Sequence, residues 1–179
     1  MKTILSVLFI VLFSLGSINA QNKMSLGAGL VVSFPMGDFS ESANTGFGGT
    51  AIFELGFMPQ LVGIGQIGYV SWGTEAEGFS YSAVPILVGV KYFFIPGIGF
   101  YGTGQLGLSI FSIETPSVSV PFLGEVSGGS VSSTEFTFVI GAGYQLPVGS
   151  NVYLDFNGTF NLISDLSNIQ LWAGAKFGL

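Results

Sequence analysis

From Met24 onward, apolar positions alternate with glycine or polar ones at a period of two, the spacing of a β-strand with two unlike faces. Eight stretches carry the pattern: 24–34, 47–58, 61–72, 81–94, 99–111, 135–146, 151–163 and 168–179. In the first, Leu26, Ala28, Leu30, Val32 and Phe34 share one face, opposite Ser25, Gly27, Gly29 and Ser33. In the fourth, Val84, Ile86, Val88, Val90, Tyr92 and Phe94 oppose Gly89 and Lys91. In the seventh, Val152, Leu154, Phe156, Phe160 and Leu162 oppose Asp155, Asn157, Thr159 and Asn161. The pattern predicts an all-β protein of eight strands.

The connections alternate in length. Short turns marked by Pro59, Pro96 and Pro147 take turns with longer polar connections at 35–46, 73–80, 112–134 and 164–167. The 112–134 connection is long and rich in Ser and Gly; it is either flexible or extends as a hairpin above the sheet, and partial order is expected. Short turns at one end and long connections at the other describe an antiparallel up-and-down barrel.

Two barrels fit such a pattern. In a soluble barrel the apolar face points inward. In a transmembrane barrel it meets lipid, and small polar residues fill the interior. Composition favours the second. The chain is 49% hydrophobic and 8% charged, against roughly 25% charged in an ordinary soluble domain. The polar face is built mostly of Gly, Ser, Thr, Asn and Gln, where a soluble exterior carries many charges. Eight strands also enclose too narrow a space for several large apolar side chains per strand. Aromatic residues recur at strand ends and predict two girdles. Phe34, Phe47, Tyr81 and Phe136 form one; Phe57, Tyr92, Phe94, Phe100, Tyr144 and Phe177 form the other.

The first twenty residues predict a cleavable signal peptide, 1–20, ahead of a single barrel domain, 21–179. Lys2 supplies the charged start, Ile4 to Leu15 the apolar stretch, and Ala20 the cleavage site. The apolar stretch is short of the ~20 residues a spanning helix needs.

Cys and His are absent, and all four basic residues are Lys. That removes thiolate nucleophiles, His general bases and Cys/His metal sites. No catalytic residue, metal ligand or cofactor is expected. A net charge of −6 excludes an electrostatic footprint for nucleic acid. Eight of the ten acidic residues lie in or beside the long connections: Asp38, Glu41, Glu75, Glu77, Glu114, Glu125, Glu135 and Asp165. No Lys lies there, and no calcium-loop pattern does either. These acids are expected to be solvated surface charge.

Two stretches, GIGQIG at 63–68 and GTGQLG at 102–107, share the spacing of a dinucleotide-binding fingerprint. That fingerprint needs a helix after its glycines. Here YVSW and LSIF follow, both strand-like. Aligned within the third and fifth strands, the repeats point Gln66 and Gln105 inward, with Gly68 and Gly107. Gly63, Gly65, Gly102 and Gly104 then face outward. Asn157-Gly158-Thr159 matches a glycosylation sequon but lies inside a predicted strand, where it is discounted.

Four charges interrupt the inward face: Glu54, Lys91, Asp155 and Lys176. Each sits three or four residues from the short-turn end of its strand, so all four fall in one layer. Asp155 and Lys176 lie on neighbouring strands, near enough to pair. The expectation is an ion-pair cluster in the lumen with Gln145 and Tyr101 beside it, because a buried charge must be paired. Its expected role is a plug that stabilises the barrel; a proton or ion path is the alternative.

The stretches FPMGDFSESANTGFGG, VPILVGVKYFF, GAGYQL and the terminal WAGAKFGL resemble the small outer-membrane β-barrel proteins of Gram-negative bacteria. The resemblance is strongest to the eight-stranded type widespread in Bacteroidetes and covers about 22 to 179. It implies an eight-stranded antiparallel up-and-down transmembrane barrel in the outer membrane, surrounded by lipid. The long connections would face outside the cell. It also implies assembly through the C-terminal strand by the outer-membrane assembly machinery. The family's terminal aromatic is commonly the last residue; here Phe177 is followed by Gly178 and Leu179. Barrel hydrolases and acyltransferases of this kind rely on His, which this chain lacks. The implied function is structural or surface-interaction, with a filled lumen and an unidentified surface partner. The alternative is a porin-like narrow pore or transporter for small solutes or ions.

Overall fold

The computed structural model describes residues 24–74, 80–95, 97–114, 118–120, 124–126, 129–164 and 166–179. The expected signal peptide, 1–20, lies outside them, as do Glu75, Glu77 and Asp165 of the acidic set.

The strands are β1 (Met24–Pro35), β2 (Gly46–Gly56), β3 (Leu61–Gly73), β4 (Ser80–Phe93), β5 (Phe100–Glu114), β8 (Ser130–Pro147), β9 (Val152–Ile163) and β10 (Asn168–Gly178). They close a barrel in the order β1-β10-β9-β8-β5-β4-β3-β2, every pair antiparallel. A helical turn, α1 (Phe39–Ser42), stands between β1 and β2. Within the β5–β8 connection, β6 (Val118–Val120) and β7 (Gly124–Val126) pair as a small hairpin. Closure leaves the eight long strands no sheet edge through the body of the barrel, which a strand in lipid requires.

The predicted alternation is the observed one. Leu30, Phe47, Ile67, Val88, Phe138 and Leu171 point outward and are exposed, while Thr50, Glu54, Lys91, Thr103, Asp155 and Lys176 are buried inside. The outer belt is apolar over the whole circumference. One girdle residue is misplaced by the sequence reading. Tyr81 faces the lumen, because Ala83 and Pro85, two and four residues on, are the buried side of β4.

Three boundaries move. Phe57 and Met58 leave the second strand and bend into the turn, where both amides bond to the Leu61 carbonyl. β5 and β8 run on past the expected ends, to Glu114 and from Ser130, because they continue to pair with each other while β4 stays paired to β5 as far as Ser80.

The interior is also less polar than expected. Val31, Val70, Trp72, Phe111, Ile163 and Trp172 face inward at the long-connection end and are buried. Phe39 of α1 enters this cluster from above. Its ring meets Trp72 at 5.4 Å and Tyr81 at 5.7 Å, both edge-on, and Trp72 stacks on Phe111 at 6.1 Å. Asn44 N bonds to Gly73 O and Met36 N to Ser167 O, so the first connection is tied across the mouth on two sides. The barrel is stoppered by its own aromatic core.

Candidate functional site

Near the short-turn end, β2, β4, β9 and β10 each send one charged side chain into the lumen. The strand period puts Glu54, Lys91, Asp155 and Lys176 on the inward face, and the register puts them at one depth. They close a ring of alternating charge. Lys91 Nζ lies 2.6 Å from Glu54 Oε1 and 2.9 Å from Asp155 Oδ2. Lys176 Nζ lies 2.9 Å from Glu54 Oε2 and 2.6 Å from Asp155 Oδ2. Each ammonium therefore meets both carboxylates.

The ring is further bonded. Tyr101 donates its hydroxyl to Asp155 Oδ1 at 2.5 Å, and Ser25 donates to Glu54 Oε2 at 3.1 Å. Lys176 donates to Gln145 Oε1 at 2.7 Å. The Lys91 ammonium also sits 4.4 Å from the centre of the Tyr101 ring, a cation–π contact. All four charged residues are at most 5% exposed. Taking each ion out of water costs several kcal/mol, and a ring with its remaining lone pairs satisfied offsets that cost. With two charges of each sign, the ring is neutral as a whole.

The other inward glutamines stand apart from it. Gln66 is half-buried on β3, beside Leu87 and Ile52 in the register. Gln105 is buried on β5, and its Oε1 has no partner among the described residues. Of the three glutamines named from the sequence, the structure brings only Gln145 to the ring.

A second polar set was not singled out by the sequence. Ser33 and Asn161 both donate to Asn168 Oδ1, at 3.2 and 3.0 Å, and Thr137 donates to Ser109 at 2.7 Å. Their signal was present, as inward parity on the strands, but uncharged residues do not announce a partner.

Below the ring lies a vestibule of about 700 Å³, open at the short-turn end and reached by Glu54, Gln145, Phe57 and Tyr153. Above the ring the lumen is packed, with a void of only about 10 Å³ beside Trp72 and Asn168. That is near the size of one water. The described lumen thus holds a vestibule, a charged ring, a packed middle and an aromatic stopper.

The glycine repeats resolve here. Gly68 faces Thr50 and Gly107 faces the β4 backbone, where no side chain fits. On the outside, the rings of Phe57 and Phe94 lie over Gly63 and Gly102. Gly65 and Gly104 are open, with nothing within 4 Å of an added Cβ. Both motifs are continuous strand, with no helix following.

The chain's sequence matches no protein family and no curated protein. Its shape does match solved structures. Ail, the attachment invasion locus protein of Yersinia pestis, superposes with a TM-score of 0.64 at 14% identity, over 89% of this chain and 100% of that one. A major outer membrane protein from Thermus thermophilus gives 0.62 at 13% identity, over 89% and 100%. Neisserial surface protein A gives 0.55 at 16% identity, over 87% and 97%. The fold is that of the small eight-stranded outer-membrane β-barrels. At such identities the likeness concerns backbone architecture, and the ring and stopper are read from this chain's own side chains.

Proposed function

We propose that this chain is an integral outer-membrane barrel of structural or surface-interaction type, sealed along its axis and acting through its long connections. The carrying observation is the closed ring of Glu54, Lys91, Asp155 and Lys176 beneath the Phe39 stopper, inside a barrel whose outer belt is apolar. A sealed lumen leaves the barrel as anchor and the connections as the working surface. The ring is a structural plug on this reading. Full pairing of all four charges supports that role over a proton path, which needs a group free to exchange.

The Bacteroidetes-type reading rests on the quoted sequence stretches, and recognition by the assembly machinery rests on Phe177 near the end of β10. The absence of His and Cys from the whole sequence supports a non-enzymatic role. Ail has been solved with the heparin analogue sucrose octasulfate. In this chain the long connections carry no Lys or Arg. Their acidity disfavours a sulfated ligand and favours a basic partner.

Membrane fractionation and planar-bilayer recording test the reading together. The protein is expected to resist carbonate extraction, to migrate faster on a gel before boiling than after, and to show no single-channel steps. Release by carbonate defeats the membrane reading; clear steps defeat the sealed lumen. Pull-down from outer membranes, with loop-deleted controls, tests the surface role.

A further inference from the structure

We infer that the edge of β8 above the barrel mouth is a docking strand for an extended, basic segment of another protein. The inference rests on the surface-interaction reading and names the place and the partner chemistry.

The register creates the edge. β8 pairs with β5 from Tyr144 up to Ser130, but with β9 only from Pro147 to Thr137. Above Thr137 no strand among the described residues pairs with its β9 side. Two turn bonds show which groups face that side. Gln145 N bonds to Gly99 O, toward β5, and Val148 N bonds to Val152 O, toward β9. Peptide groups alternate along a strand, so the odd residues Val131 and Ser133 bond to β5. The even residues Ser130, Ser132 and Thr134 turn their N–H and C=O to the vacant side. Among the described residues, no backbone bond is made there, and Ser130 through Thr134 are all exposed.

Natural sheets blunt such edges with Lys, Pro or a bulge. Residues 130–134 read SVSST, with none of these in a regular register. Beside the edge, the cross-strand pair Ile113 and Val131 is uncovered, at 40% and 73% exposure. Strand addition supplies main-chain bonds for affinity and alternate side-chain sites for specificity, and this edge has both. Charge selects the occupant. Asp38, Glu41, Glu114, Glu125 and Glu135 lie at the same end of the barrel, and no basic residue lies there among the described residues. A second copy brings like charge to like charge, whereas a basic segment with alternating apolar residues complements it.

The test uses the whole barrel in phospholipid nanodiscs and residue-resolved amide exchange. The probe is a capped nine-residue peptide in which Val alternates with Lys. Its binding is expected to slow the amides of Ser130, Ser132 and Thr134 by about tenfold or more, and to leave Val131 and Ser133 unchanged. Thr134→Pro, which removes an edge donor and no β5 bond, is expected to weaken binding about tenfold, and Thr134→Lys likewise. A peptide with Glu in place of Lys, or with alternate amides methylated, is expected not to protect. Equal protection by the acidic or methylated peptide overturns the proposal, as does the absence of protection. Dimerisation abolished by Thr134→Pro also overturns it, in favour of a second copy. A partner lost on loop deletion but kept by Thr134→Pro removes the edge and leaves the surface role standing. No partner for the wild type removes the surface role itself.

Discussion

Lys91 on β4 and Asp155 on β9 meet at 2.9 Å inside the barrel, although β5 and β8 stand between their strands on the wall. The contact crosses the lumen, as does the contact of Lys91 with Glu54 past β3. The ring therefore ties together non-neighbouring strands that no backbone ladder joins.

Removing one member is expected to be worse than removing a pair. Lys176→Met leaves two buried carboxylates facing one ammonium, and costs about 3–5 kcal/mol of unfolding free energy. Glu54→Gln with Lys176→Met restores neutrality and is expected to recover most of that loss. Reversible urea unfolding in liposomes, followed by emission of the two tryptophans, measures both. Additive losses in the double variant contradict a coupled ring.

Phe39→Ala is expected to loosen the mouth and spare the barrel. The ring of Phe39 covers Trp72, so its loss shifts Trp72 emission to the red. The amides of Ala43 and Asn44, held by Phe39 O and Gly73 O, exchange faster. Conductance stays absent, because the charged ring below is untouched. Unaltered emission and exchange in this variant contradict the stopper.

The outward glycines of the first repeat are expected to respond oppositely. Gly63→Val places its Cβ against the Phe57 ring, 2.6 Å from Cε2, and displaces that girdle residue at a cost of about 1 kcal/mol. Gly65→Val enters open space and gains strand propensity, stabilising by a few tenths of a kcal/mol or more, up to about 1. Gel-shift midpoints of the two variants against wild type decide it, and equal effects refute the covering role of Phe57.

Gln105→Met is expected to be neutral or stabilising by about 1 kcal/mol, because it removes a buried Oε1 that has no partner among the described residues. The same unfolding measurement applies. A large loss shows that Gln105 is bonded in solution.

The two repeats, read for their glycine spacing, were legible as strands because neither YVSW nor LSIF opens a helix. The period of two assigned Leu30 to the outside and Lys91 to the inside, since side chains of a strand must alternate. Alternate long and short connections set the direction of each strand, and direction with depth placed Glu54, Lys91, Asp155 and Lys176 in one layer. Local rules therefore determined the barrel, its outer belt and the depth of its charges. They were silent on Phe39, Trp72 and Trp172. An aromatic at inward parity looks the same in sequence whether it fills a core or faces water, and a residue in a connection has no parity at all. The end of the β9 ladder at Thr137 was equally hidden, because register belongs to two strands at once. Which charge meets which, what seals the mouth and which edge stays open depend on closure of the barrel. Only closure brings the far walls within bonding distance.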